Sequence, residues 1–196
     1  MNSFVAELLA LMPPLGGSPE RVEWEPVDVT TGKRLPDDYL DFLAHYGPGS
    51  IERFLGVAVP DAMPDPGRVS GWTSEETANA RGAWEDNGGP AEVDDATEES
   101  VVAWGADGFA DIYCWITSGE DPNAWPVLVW RDTYLDWCLY PMGMAEFLLK
   151  TLRAELPDDR LNELRIWGKS NPRYISYKES SRLRVLGVNA WTGEPM

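Results

Sequence analysis

Apolar residues recur along the chain with two periods, one helical and one strand-like. Leu35, Tyr39, Phe42, Leu43 and Tyr46 fall at i, i+4, i+7, i+8 and i+11, a single helical stripe. Pro36 suits the first turn of that helix, and Asp37 and Asp38 complement its dipole. Gly47 can close it in a left-handed conformation, and Pro48 blocks continuation. A shorter helix is predicted over 2–12, with Phe4, Leu8 and Leu11 on its stripe and Pro13-Pro14 after it. A turn-rich linker over 16–34 carries Trp24 and a Thr30-Thr31-Gly32 turn signal. Thr73 and Glu76 form a capping-box pattern, predicting a helix to about residue 85 with Ala80 and Trp84 inward. A last strong helix starts near Gly143, with Met144, Phe147, Leu148, Thr151 and Leu152 as its stripe.

Between these helices the period drops to two. Strands are predicted over 53–59, 101–104, 109–117, 125–131 and 137–140, the last four joined by short turns with no intervening helix. That spacing predicts an antiparallel meander. The 109–117 strand is apolar on both faces, so it belongs at the centre, with helices on one side and loops or the tail on the other. The fold class is therefore α+β: a central, mostly antiparallel sheet of about five to six strands flanked by helices. Residues 1–156 form the expected domain, and 157–196 a basic extension packed on it, with a helix over 158–166 and a strand over 183–188.

Composition sharpens this picture. The 196 residues are 43% hydrophobic, enough to bury a core without disulfides or metal. Net charge is −17, which repels nucleic acid and anionic membranes and favours basic protein partners. The charge is unevenly placed. Residues 82–130 hold eleven Asp and Glu and no Lys or Arg, whereas basic residues outnumber acidic ones after 157. The two cysteines, Cys114 and Cys138, lack zinc-type spacing and fall on apolar strand faces, which predicts buried free thiols. With no charged-then-apolar leader and no bilayer-length apolar run, the expected compartment is the cytoplasm.

The string LPDDYLDFLAHYGPGSI over 35–51 resembles the signature helix of the SUKH superfamily, running through a Gly-x-Gly turn into the first strand. WGADGFADIYCW from Trp104, AWPVLVW from Ala124 and AEFLLKTL from Ala145 follow in the order that family shows. The resemblance spans about residues 8–156 and implies a helix-flanked antiparallel sheet with a non-enzymatic role and no cofactor. Bacterial members are mostly immunity proteins that bind and neutralise polymorphic toxins, many of them nucleases; fungal members regulate cell-wall assembly. The acidic insert before Val101 and the tail after Pro157 lie outside the shared pattern.

Little in the chain points to catalysis. Gly47-Pro48-Gly49 follows a helix and precedes no Lys-Ser/Thr pair, so it reads as a helix stop and not a phosphate loop. His45, the only histidine, sits beside the apolar stripe in the last helical turn, where a cation is mildly favoured, and reads as a surface or capping residue and not as one of the several partners that a hydrolase triad or zinc site needs. Asp107, Asp111, Glu120 and Asp121 cluster at two predicted turns; acid–base work and calcium binding are the functional readings, turn formation the plain one. The feature favoured as a site is the acidic stretch with its tryptophans. Trp72, Trp84 and Trp104 (with Trp115 and Trp125) are the expected aromatic anchors, ringed by Asp94, Asp95, Glu98, Glu99, Asp107, Asp111, Glu120 and Asp121. The expectation is a monomeric or weakly dimeric immunity protein for a basic, nuclease-type toxin. A regulatory SUKH domain with an endogenous protein partner is the alternative, and an enzyme using Asp107 and Asp111 a third reading.

Overall fold

The computed structural model describes residues 1–16, 34–59, 72–93 and 95–196. The linker with Trp24, the loop over 61–71, Asp94 and the Trp72 side chain lie outside the described residues. The fold is α+β. Among the described residues a seven-stranded sheet carries the order β6-β5-β4-β3-β2-β1-β7, every neighbouring pair antiparallel. Its strands are β1 (Gly49–Ile51), β2 (Leu55–Val57), β3 (Val101–Ala106), β4 (Ile112–Ile116), β5 (Val127–Arg131), β6 (Asp136–Tyr140) and β7 (Tyr174–Ser176). The helices are α1 (Ser3–Leu11), α2 (Asp37–Tyr46), α3 (Trp72–Asn87), α4 (Met144–Arg153) and α5 (Tyr177–Val185).

Alternation along the strands builds two cores. Val102, Tyr113, Trp115, Val127, Val129 and Tyr140 face α1, α2 and α4 in the larger one. Val101, Ala103, Ile112, Cys114, Leu128 and Trp130 face the other way, towards Ala80, Ala83 and Trp84 of α3. The second face of the sheet is thus covered by α3 and the segment around Val93 and Ala96, where loops or the tail were expected. All five stripe residues of α2 are buried, Tyr46 stacking on Phe42 at 4.4 Å.

Local chemistry explains the boundaries. Asn2 caps α1 by accepting from the Phe4 and Val5 amides. Asp38 reaches out of α2 to accept from the Ala145 amide, and so supplies the cap that Gly143 cannot give α4. A Cβ on Gly143 would meet that carboxylate at 2.6 Å. Thr73 lies inside α3, and its hydroxyl donates to the Val59 carbonyl where a helix cap was expected. Beyond the end of β2, no strand among the described residues neighbours β3 on that side. Thr77 and Arg81 of α3 satisfy its edge, accepting from the Ala103 amide and donating to the Val101 carbonyl.

Two expectations are corrected. The strand expected over 53–59 is present as β2 but shorter, and it is paired in a hairpin with β1, which was not expected, through a turn with Glu52 and Arg53 at φ 53° and 54°. In the tail, 159–167 makes successive turns and no helix, and 183–188 ends α5 and makes no strand. The seventh strand is β7, whose Tyr174 packs edge-on against Phe42 and Tyr46 and donates to the Gly47 carbonyl at 2.7 Å. Leu161, Leu164 and Ile166 join the larger core, so the extension completes the domain.

Candidate functional site

The acidic region divides between the two ends of β3. At one end a 3-10 turn (Glu98–Ser100) holds Glu98 and Glu99 beside α3, with Asp95 exposed just before it. Arg81 donates to the Glu99 carbonyl there and leaves its carboxylate free of that contact. Glu120 and Asp121 are exposed near the same end. Asp121, however, caps the 3-10 turn (Pro122–Ala124) that packs on α2, on the opposite side of the sheet. At the far end of β3, about 17 Å away at roughly 3.3 Å per residue, lie Asp107 and Asp111 in the β3–β4 turn.

This second end is concave. A groove of about 790 Å³ runs between α3 and the tips of the β3–β4 and β5–β6 hairpins. Glu76, Asn79 and Asp86 line it from the helix; Asp107, Ala110, Asp132 and Leu135 line it from the hairpin tips. Ile112 and Trp130 contribute sheet residues, and no Lys or Arg among the described residues lines it. Ala110 and Leu135 both stand at positive φ, 65° and 53°, a conformation side chains rarely adopt. Leu135 is 61% exposed. Phe109 and Tyr134, at the same two tips, are partly exposed as well.

The groove carboxylates differ in what they do. One Asp107 oxygen accepts from the Phe109 and Asp111 amides and the other from the Tyr113 hydroxyl at 2.8 Å. That side chain ties the turn to β4, which is the ordinary role of Asp in a turn. Asp111 is buried and accepts from the Asp132 amide at 2.9 Å, joining the two hairpin tips. Burial, and then the Asp107 charge, push its carboxyl up to about 7. Burial likewise raises Asp107. A groove with perturbed carboxylates is part of what acid–base chemistry requires, but both Asp107 oxygens are held by internal donors. Among the described residues no three His, Cys, Asp or Glu side chains are grouped to hold a metal ion.

The tryptophans take other places. Trp104 is 1% exposed, the extra residue of a bulge where the β3–β4 register shifts, and packs towards Tyr113, Trp115 and Phe147. It is core and cannot anchor a partner; Trp115 and Trp125 are buried too. Trp84 is half-buried against Trp137 at 5.8 Å, beside the groove. The expected contact residues therefore do not form one ring. Asp95, Glu98 and Glu99 share one edge of the α3 face, Asp107 the other, and Glu120 and Asp121 a loop facing α2. Asp132, Asp86 and Leu135 were missed. The available signals were a bulky Leu inside the polar turn 132–136 and the polar face Glu76, Asn79, Asp86 at i, i+3 and i+10.

One feature unites the region. Among the described residues, no carboxylate from Glu75 to Glu120 forms an ion pair with Lys or Arg. Elsewhere some of the charges pair, as in Arg131–Asp136 at 2.7 Å and Arg153–Glu7 at 2.8 Å, and others such as Glu155 and Asp159 do not among the described residues. Both free thiols are buried, and burial raises the Cys138 thiol to about 11 and Cys114 further, so neither is poised as a nucleophile. No helix among the described residues is long and apolar enough to cross a membrane. No protein-family model, curated protein or solved structure matches the chain.

Proposed function

We propose that the protein is a binding module of the SUKH type that neutralises a basic protein partner, a nuclease-type toxin, by occluding it. The observation that carries this reading is the run of carboxylates around α3 with no Lys or Arg among the described residues paired to them. Unpaired like charges on one face cost the isolated molecule self-repulsion, and a basic partner relieves it. Such a face also speeds encounter, to about 10⁸–10⁹ per molar per second at low salt in steered complexes. The seven-stranded sheet with α2 and α4 on one side agrees with the architecture that the resemblance implies.

The test is co-expression with the product of the adjacent gene, followed by purification of the pair. Replacing Asp94, Asp95, Glu98 and Glu99 with Ser is expected to weaken that complex and reduce its salt dependence. Unchanged affinity in the quadruple variant counts against the reading.

A further inference from the structure

We infer that the groove between α3 and the two hairpin tips receives a basic segment of the partner, an Arg or Lys side chain with an apolar residue beside it. The inference rests on the partner-binding reading and gives it a location and a chemistry. The groove measures about 790 Å³ and stays open to solvent, so it suits a segment lying across it and not an enclosed small molecule. The charged side chains that line it among the described residues are all acidic. Glu76, Asp86, Asp107 and Asp132 line it, and none pairs with a Lys or Arg among the described residues. A cation entering there meets charge that nothing in the described chain has already neutralised.

The apolar half of the recognition comes from Leu135, with Trp130 and Ile112 on the sheet side. A 61% exposed Leu at φ 53° is poorly placed for folding alone, since it buries little and holds a conformation better suited to glycine. Presenting that side chain at the groove gives the arrangement a use. Carboxylates beside an exposed apolar side chain suit a basic residue flanked by an apolar one, which a diffuse acidic surface does not select.

Position separates this site from the acidic run at the other end of β3. The ends lie about 17 Å apart, and charges interact over about 8 Å at physiological ionic strength. Removing the same number of charges from each end therefore has different effects on a ligand held in the groove.

The probe is a capped hexapeptide, Gly-Arg-Leu-Arg-Leu-Gly, titrated calorimetrically at physiological salt, with spermine as a charge-only comparison. The double variant Asp86→Asn/Asp132→Asn is expected to bind the peptide about tenfold more weakly, and Leu135→Gly to weaken it to a similar degree. Leu135→Gly relieves the left-handed conformation, so its melting temperature should hold or rise while binding falls, which separates recognition from folding. The double variant Glu155→Gln/Glu194→Gln, two exposed carboxylates that do not line the groove, is expected to bind within about twofold of the parent. Equal losses from both pairs, an unaffected Leu135→Gly, spermine binding as tightly as the peptide, or no peptide binding overturns the inference. The co-expression experiment judges the acidic-face reading separately.

Discussion

At the scale of single residues, the most informative group is Asp111. Its carboxyl is raised to about 7 in the folded protein by burial and by the Asp107 charge. Between about pH 4, the ordinary Asp value, and pH 7 the folded state therefore holds a proton that the unfolded chain has released. The resulting stability is fully present below the ordinary carboxylate range and is lost as pH rises through 7. Asp111→Asn keeps an oxygen to accept from the Asp132 amide and removes the charge. It should flatten the pH dependence of the melting temperature between about pH 4 and about pH 8 and raise the value at about pH 8. An unchanged pH profile would mean that Asp111 is ordinarily ionised. Gly47 gives a second residue-scale prediction. At φ 66° and ψ 177° it occupies a region nearly exclusive to glycine, so Gly47→Ala should cost about 1–3 kcal/mol in urea unfolding.

At the scale of elements, burial separates helices that hold the fold from those that decorate it. Leu148 of α4 is wholly buried, and Leu148→Ala should cost about 2–5 kcal/mol. Leu186, just after α5, is 62% exposed, and Leu186→Ala should stay within about 0.5 kcal/mol. Denaturant unfolding of the two variants measures the contrast. The elements with strong periodicity were legible from sequence, α2 and α4 and the β3-to-β6 meander above all, because one face of each meets the core and selects apolar residues. The β1–β2 hairpin was not legible. Its turn places Glu52 and Arg53 at positive φ without the Asn-Gly or Gly-Gly pair that announces such turns. The tail misled for a related reason: β7 is three residues long, too short for a period, and its place is set by Tyr174 docking on α2. For the site, the acidity of the region was readable, but its division between two ends depends on strand direction. Trp104 looked like an anchor because Trp serves cores and interfaces equally well; strand alternation puts it on the face of Val102, in the larger core.

At the scale of the whole molecule, two features stand out. The first is continuity of the core into the tail. Tyr174→Ala removes a buried ring and its bond to Gly47, and should cost about 3–5 kcal/mol, the range for large aromatic truncations. A chain ending at residue 156 should accordingly lose cooperative unfolding, because Leu161, Leu164, Ile166 and Tyr174 leave the core together. The second is segregation of charge. Several cations of the tail are used within the fold, with Arg160 on Asp136 and Lys169 and Arg173 on Glu52, while the α3 face keeps its carboxylates unpaired among the described residues. A molecule arranged in this way is suited to meeting a cationic macromolecule. The most direct measurement is the dissociation constant of the chain and its co-expressed partner across a series of salt concentrations. The account predicts affinity that falls steeply with added salt, and a shallower slope when the α3-face carboxylates are neutralised. Affinity indifferent both to salt and to those substitutions would contradict it.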